Sequence, residues 1–173
     1  VVASYNHGIV SKDDLRITGG VIAVNAVNDG IKGRDAIAIR GGTITVNAGG
    51  DGLQSNNDED AEKGYVCIEG GTLRIAAGQD GIQAQTSLQV GDGSIAIVSG
   101  GGSLASYDFS ESAKGLKAGV SIAITGCAIE IDSTDDAIHS NGSMRIDAGS
   151  IEAASGDDGI HADSAIQIGG GTL

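Results

Sequence analysis

Aspartate residues return at a near-fixed interval along this chain, each just before a glycine or its equivalent, and this spacing gives their carboxylates a shared chemistry. The recurring tripeptide is Asp-Gly-Ile or a close variant, and the positions before its central residue are His7, Asp29, Asp51, Asp80, Lys114, Asp136 and Asp158. In the last two copies the aspartate is doubled by Asp135 and Asp157. Carboxylate oxygens gathered in one place are the hard ligands that calcium prefers.

A repeat unit of 22 residues carries these aspartates. The central residue of the tripeptide, the marker residue, recurs from Gly8 to Gly159 at intervals of 22, 22, 29, 34, 22 and 22 residues. A fixed period without a helical pattern indicates a solenoid of β-coils, in which the two long intervals contain insertions. We predict one domain over residues 1–173, part of a longer chain, with insertions near residues 56–65 and 99–112.

Each coil has the pattern of three short strands. Between Asp29 and Val46, inward aliphatic residues alternate with outward residues in three segments that Gly and Asp turns separate. The same inward positions recur in the other repeats, so each aliphatic side chain packs on its own kind in the coils above and below. We therefore predict an all-β protein, a right-handed parallel β-helix of about seven coils, since the right hand is the common one for parallel connections.

Composition restricts the partners of the chain. It carries 23 acidic and 10 basic residues, a net charge of −13. Such a field repels nucleic acid and anionic membranes and attracts cations, so neither nucleic acid nor a membrane is an expected partner. The two cysteines, Cys67 and Cys127, fall on coils about 10 Å apart. That distance is beyond the reach of a disulfide, and we predict two free thiols.

Stacking of the coils brings the aspartates together. Neighbouring coils lie ~4.8 Å apart, where two carboxylates repel by ~3.5 kcal/mol at an effective dielectric of 20 and by ~1 kcal/mol in water. Lys114 can neutralise Asp80 and Asp136, and the remaining charge calls for a bound cation. The stacked aspartates are Asp29, Asp51, Asp80, Asp135, Asp136, Asp157 and Asp158, and we expect calcium at one or more sites among them.

The last four of these aspartates form the favoured calcium cluster, and Asn141 and Asp163 stand where they can add ligands. A simpler interpretation also remains open. Aspartate before glycine is a common turn former, because its side chain accepts local backbone N–H bonds. That interpretation explains one Asp-Gly pair well, but it explains the doubled aspartates of consecutive coils poorly.

A second outward column lies two residues after the marker residue. Its predicted carbohydrate-binding members are Lys32, Gln54, Gln83, Lys117, His139 and His161. Such side chains hydrogen-bond sugar hydroxyls and hold uronate carboxylates; the alternative is an ordinary solvated strand face. The stacked His139 and His161 also raise a transition-metal site, which the carboxylate-rich surroundings make less favourable than a calcium site.

Several motifs of the chain resemble a known family. The segments NDGIKGRDAIAIRGGTITV, STDDAIHSNG and SGDDGIHAD resemble secreted bacterial carbohydrate-binding proteins, a family that is itself similar to the family 9 pectate lyases. The resemblance covers nearly the whole chain and implies a polysaccharide-lyase-like parallel β-helix that holds calcium on the aspartates named above. It also implies an extracellular or cell-surface bacterial protein that binds cellulosic and acidic plant cell-wall sugars. His7 and Lys114 depart from the pattern, so their coils are not expected to hold calcium alone.

Three functions follow from these patterns. The first is a calcium-dependent binding module for plant cell-wall polysaccharides; the scarcity of aromatic residues favours soluble or acidic glycans over crystalline cellulose. The second is a calcium-dependent polysaccharide lyase, which cleaves a uronate by β-elimination with Lys32 or Lys117 as the base. The third is a structural or adhesin stalk.

Overall fold

The computed structural model describes residues 1–106 and 111–173. Within these ranges the chain forms 21 β-strands, and each strand pairs in parallel with the strand three positions later. The result is three sheets of seven strands, one on each side of the coil, which is the right-handed parallel β-helix that the repeat predicts. The same ranges contain no helix that is long and apolar enough to cross a membrane.

The three sheets take every third strand of the chain. Sheet 1 contains β1 (Val2–Ser4), β4 (Val21–Ala26), β7 (Thr43–Ala48), β10 (Thr72–Ala77), β13 (Ser94–Ser99), β16 (Ala128–Ser133) and β19 (Ser150–Ser155). Sheet 2 contains β2 (Ile9–Ser11), β5 (Ile31–Gly33), β8 (Leu53–Ser55), β11 (Ile82–Ala84), β14 (Leu116–Ala118), β17 (Ile138–Ser140) and β20 (Ile160–Ala162). Sheet 3 contains β3 (Asp14–Ile17), β6 (Ala36–Ile39), β9 (Tyr65–Ile68), β12 (Ser87–Val90), β15 (Ser121–Ile124), β18 (Ser143–Ile146) and β21 (Ala165–Ile168).

Inward aliphatic residues fill the space between the three sheets. The register pairs like with like, as in Ile31 opposite Leu53, and the aliphatic side chains of the middle coils are almost fully buried. The last coil differs, because Ile166 and Ile168 keep the register but are 43% and 53% exposed. An inward residue of a solenoid is buried only where another coil covers it.

The marker residue faces the interior, where it packs against sheet 1. A Cβ atom at Gly30 would lie 2.2 Å from Cγ1 of Val46 and 2.7 Å from the carbonyl oxygen of Gly52. The sixth coil nevertheless has a fully buried alanine, Ala137, at this position. In that coil the position equivalent to Val46 holds Ala153, as the sheet 1 register shows. The smaller partner makes room for the methyl group of Ala137.

Both insertions leave the coils at corners between sheets. The first lies between β8 and β9, and the second lies between β13 and β14; Tyr107 and Phe109 of the second insertion are outside the described residues. Both cysteines are free thiols, as predicted. Cys127 occupies a corner with a φ of 72°, where the equivalent residues of the other coils are glycines with positive φ.

Candidate functional site

The aspartates before the marker residue cap the backbone of the following coil. One carboxylate oxygen, Oδ1, accepts the N–H of the residue that occupies the equivalent position one coil later. These bonds join Asp29 to the N–H of Asp51 (3.2 Å), Asp51 to that of Asp80 (3.0 Å), Asp80 to that of Lys114 (2.9 Å) and Asp136 to that of Asp158 (3.0 Å). We call this series the carboxylate ladder. It supports the turn-forming interpretation in part, since the aspartates do accept backbone N–H groups, but these belong to the next coil.

The second carboxylate oxygen, Oδ2, accepts a hydrogen bond from the outward column of sheet 2. The column is in register from Lys32 to His161, as predicted. Five of its six side chains, all except Gln83, turn back onto aspartates of the ladder instead of pointing directly into solvent. The contacts to the aspartate of the same coil are Lys32 Nζ to Asp29 (3.1 Å), Gln54 Nε2 to Asp51, His139 Nδ1 to Asp136 (2.7 Å) and His161 Nδ1 to Asp158 (3.0 Å).

The ladder is interrupted at Lys114, whose side chain has no acceptor for the next coil. Asp136 compensates by donating its N–H to its own neighbour, Asp135, at 2.8 Å. The ammonium of Lys114 lies 2.5 Å from Oδ2 of Asp135 and 3.2 Å from Oδ2 of Asp136. Burial lowers the pKa of Lys114, but its hydrogen bond to Asp135 and the two negative charges outweigh burial and raise it. The doubling of aspartate at Asp135 and Asp136 therefore has a structural reason, because Asp135 supplies the cap that Lys114 cannot.

Lys117 takes the role that was predicted for Lys114 at Asp80. The ammonium of Lys117 lies 3.0 Å from Oδ2 of Asp80, one coil earlier, whereas Lys114 gives that aspartate only its backbone N–H. The hydroxyl of Ser112 also donates to Oδ1 of Asp80, at 2.6 Å. Protein donors thus surround Asp80, the ladder aspartate of the coil that contains Gln83. The amide of Gln83 therefore makes no hydrogen bond to this carboxylate. Within the described ranges, Oε1 of Gln83 is buried and has no hydrogen-bond partner.

The first three aspartates, Asp29, Asp51 and Asp80, form a buried group that we call the first carboxylate group. The outer two each contact a lysine ammonium, whereas the central Asp51 accepts hydrogen bonds only from neutral groups, the amide of Gln54 and the backbone N–H of Asp80. Burial, followed by the negative charge of Asp80, raises the pKa of Asp51 to about 7. Two ammonium groups and partial protonation of Asp51 therefore offset much of the charge of this group near neutral pH.

The last four aspartates, Asp135, Asp136, Asp157 and Asp158, form the second carboxylate group. The first two are buried and the last two are exposed. Asp135, Asp136 and Asp157 each have a carboxylate oxygen within 4.8 Å of the other two. Because Asp158 takes its cap from Asp136, the neighbouring Asp157 is not used as a backbone cap of the ladder. Three carboxylates of this group are thus close enough to share one cation.

Asn141 and Asp163, predicted as added calcium ligands, lie beside the histidines. The amide oxygen of Asn141 lies 2.9 Å from Nε2 of His139, and a carboxylate oxygen of Asp163 lies 3.2 Å from Nε2 of His161. The hydrogen bond to Asp158 raises the pKa of His161, with the charge of Asp136 and the bond to Asp163 adding to the effect. These side chains thus extend the polar surface sideways from the ladder.

A polar cleft of about 220 Å³ opens at the middle of the column. Its lining residues are Asp51, Gln54, Gln79, Asp80, Gln83, Glu111, Ser112 and Lys117. Three of them, Gln79, Glu111 and Ser112, were not among the predicted site residues. The signal that pointed toward Glu111 and Ser112 is the second insertion, which brings them against the column; Gln79 donates to Glu111 across the cleft.

Comparison with known proteins identifies the family. Residues 1–159 match the family described as carbohydrate-binding domain-containing proteins. The chain belongs to this family. The matched region includes the whole carboxylate ladder up to Asp158 and the cleft, so carbohydrate binding is the role that the family supports for this protein. Neither the curated proteins nor the solved structures contain a significant match to the chain.

Proposed function

We propose that this member of the family binds a plant cell-wall polysaccharide, cellulosic or uronate-containing, along the outward column of sheet 2. The observation that carries the proposal is the polar cleft at the middle of that column, where amide, carboxylate, hydroxyl and ammonium groups converge. Groups of this kind, precisely spaced on a rigid scaffold, orient a polar ligand and give it specificity. Because such a glycan lies outside the cell, we also propose that the protein is secreted or held at the cell surface.

The geometry of the column favours a linear polymer over a single sugar. Successive column residues stand in register on parallel strands, and such strands are ~4.8 Å apart. A regular row of hydrogen-bonding side chains can contact successive units of an extended chain. Each contact contributes about 1 kcal/mol, so affinity accumulates with the number of units bound.

We further propose that calcium contributes to binding through the second carboxylate group. Calcium takes six to eight oxygen ligands at 2.3–2.6 Å, and the carboxylates of Asp135, Asp136 and Asp157 offer oxygens close enough to share one ion. The ammonium of Lys114 would compete with the ion for the first two. Bound calcium would supply positive charge that an acidic glycan needs in a protein of net charge −13.

The first carboxylate group is not included in this calcium proposal. Each of its six carboxylate oxygens already accepts a hydrogen bond from a protein donor. A cation there would have to displace a lysine ammonium, an amide or a backbone cap at every oxygen, whereas the second group also contains the exposed Asp157, which caps no backbone N–H of the ladder. Calcium at Asp29, Asp51 and Asp80 therefore stays a prediction from the sequence.

Lysine pairing favours binding over cleavage as the activity of the column. A β-elimination base must be neutral before it can accept a proton. Lys32 and Lys117 each place Nζ about one hydrogen-bond length from a buried carboxylate, at 3.1 and 3.0 Å, so each is engaged in an ion pair within the protein. We therefore propose a binding module, with the lyase as an outcome that the same experiment can reveal.

The test compares two glutamine variants. Gln83→Ala removes a cleft side chain whose oxygen Oε1 has no hydrogen-bond partner among the described residues, whereas Gln89→Ala changes an exposed outward glutamine on sheet 3. Polygalacturonate and soluble cello-oligosaccharides are titrated calorimetrically into each variant, with calcium and with a chelator. We expect Gln83→Ala to bind one of these glycans about 5-fold more weakly, which corresponds to one lost hydrogen bond, and Gln89→Ala to match the parent protein.

Equal binding by the parent and both variants would place the glycan elsewhere and overturn the proposed site. No binding to either glycan would overturn the proposed substrate class. Absorbance of unsaturated uronate is followed in the same samples. A rise in that absorbance that disappears in Lys32→Ala or Lys117→Ala would replace the binding module with the lyase.

A further inference from the structure

Two of the three histidines of the chain, His139 and His161, lie one above the other in sheet 2. Their ring centroids are 4.7 Å apart, and the rings are tilted by 36°. Nδ1 of His139 lies 2.7 Å from Oδ2 of Asp136. One ligand atom from each of these three residues lies within 4.8 Å of the other two. The group is compact enough for one ion to contact all three residues after small side-chain rotations.

The ring nitrogens of both histidines face acceptor oxygens. His161 lies between two carboxylates, with Nδ1 3.0 Å from Asp158 and Nε2 3.2 Å from Asp163. His139 lies between the carboxylate of Asp136 and an amide oxygen that is 2.9 Å from its Nε2. A neutral imidazole has a single N–H, and a carboxylate has none to offer. A neutral His161 ring therefore directs one nitrogen lone pair at a carboxylate oxygen, and a positive species between the two atoms would relieve that contact.

We propose that Asp136, His139 and His161 form a binding site for a divalent first-row transition metal, with zinc as the representative ion. Imidazole nitrogens together with a carboxylate oxygen are a donor set that suits zinc, copper or nickel. Calcium and magnesium take oxygen ligands instead, so this site is chemically distinct from a site made of carboxylates alone.

The surroundings of the two rings match those of metal-binding histidines. A histidine that ligates a metal through one nitrogen almost always donates its other N–H to a carboxylate or carbonyl oxygen, which fixes the ring. Such acceptors are present beside both rings, from Asp158 and Asp163 for His161 and from Asn141 for His139. The ring nitrogen that does not ligate the metal would therefore have an acceptor that fixes the ring.

Binding requires the three residues to draw together slightly. Zinc ligands lie 2.0–2.1 Å from the ion, so ligand atoms in a tetrahedral site are ~3.4 Å from one another. The three atoms of this group lie at separations up to 4.8 Å. Three protein ligands leave a fourth coordination position. Because both rings stand on the outward face of sheet 2, water or a sugar hydroxyl can reach that position.

Three substitutions separate this site from the proposed calcium site. Asp157 belongs only to the carboxylate trio, His161 belongs only to the histidine trio, and Asp136 belongs to both. We expect Asp157→Asn to weaken calcium binding only, His161→Gln to weaken zinc binding only, and Asp136→Asn to weaken both. If calcium does not bind, the effect of His161→Gln on zinc binding can therefore still be interpreted.

The direct test is calorimetric titration of zinc into the whole chelator-treated protein, with cobalt as a second probe whose visible d–d absorption reports tetrahedral coordination. Glutamine is chosen for the variants because the column itself uses it at Gln54 and Gln83, so the coil accepts it at this position. We expect His139→Gln and His161→Gln each to weaken zinc binding by at least ~10-fold and to reduce the cobalt absorption.

The control is His7→Gln. His7 is the remaining histidine, and it contacts the single carboxylate of Asp29 at 3.1 Å. Zinc affinity should be unchanged in this variant, and thermal unfolding confirms that all variants remain folded. The proposal is overturned by the absence of zinc binding, by equal affinity in the parent and both site variants, or by an equal loss in His7→Gln.

Discussion

The same repeat builds both carboxylate groups, but it balances their charges differently. In the first group, Asp29 and Asp80 each contact a lysine ammonium, and the pKa of Asp51 between them is raised to about 7. In the second group, Lys114 is shared by Asp135 and Asp136, and the exposed pair of aspartates contacts no lysine that the structure describes. The comparison teaches that position in the repeat does not decide how an aspartate is neutralised. The lysines beside Asp29 and Asp80 come from different places in the repeat, Lys32 from the same coil as Asp29 and Lys117 from the coil after Asp80.

The largest difference is expected from removing the shared ammonium of the second group. Lys114→Met leaves Asp135 and Asp136 buried without that partner, and breaking a buried pair in this way costs about 3–5 kcal/mol of unfolding free energy. Urea unfolding at pH 7 in a chelator measures the loss, with the exposed Lys12→Met as the matched control. The comparison between the two groups would be wrong if both variants lost the same stability.

The next largest effect concerns pH and the first group. Because the folded pKa of Asp51 is raised to about 7, the unfolded chain releases this proton first as pH rises above the usual value near 3.8. The folded state then holds more protons, so this group lowers stability progressively between about pH 4 and pH 7, by on the order of 4 kcal/mol in total. Asp51→Asn should remove that slope.

Urea unfolding of the parent and of Asp51→Asn across this pH range supplies the measurement. The informative quantity is the difference between the two proteins, because other titrating groups contribute equally to both. A constant difference from pH 4 to pH 7 would mean that Asp51 is ionised throughout and that the first group lacks the charge balance described above.

The smallest effect concerns the marker residues beside the two groups. Gly30 faces Val46 in the first half of the chain, whereas Ala137 faces the smaller Ala153 in the second. Ala137→Gly should lower stability by about 1 kcal/mol, through a more flexible unfolded chain and a lost methyl contact. Adding Ala153→Val should recover part of this loss, whereas Ala153→Val alone should crowd Ala137. Thermal unfolding of the three variants would refute the size-matching argument if the double variant were the least stable.

Sequence alone predicted the fold well because the fold is a property of the period. The inward aliphatic positions and the columns of sheets 1, 2 and 3 recur at the marker spacing. Aligning the repeats in the sequence therefore also gives the pairing of residues between neighbouring strands. The exposed Ile166 and Ile168 show the limit of that reasoning. Periodicity predicts which way a side chain points, but burial depends on whether another coil lies above it.

The candidate site was predicted less completely, for reasons that concern side-chain conformation. The outward column and the row of stacked aspartates were predicted residue by residue, but the caps between coils were not. The choice of Lys117 rather than Lys114 as the ammonium beside Asp80 depends on rotamers and on the Ser112 hydroxyl. Glu111 and Ser112 were missed because they belong to an insertion. An insertion has no equivalent in the other repeats, so aligning the repeats does not predict where its side chains lie. Calcium itself was inferred from repulsion between stacked carboxylates, and that inference counted neither the backbone N–H caps nor the proton on Asp51.

The carboxylate ladder has a consequence for how such a chain lengthens during evolution. A duplicated coil brings an aspartate that serves the coil after it, so a copy inserted within the first run continues the series without further change. A copy inserted directly after Lys114 inherits no acceptor and must bring its own, as Asp135 does for Asp136. A doubled aspartate at that point therefore shows that the ladder begins again with a cap from the same coil. A coil duplicated at this point must keep that one hydrogen bond.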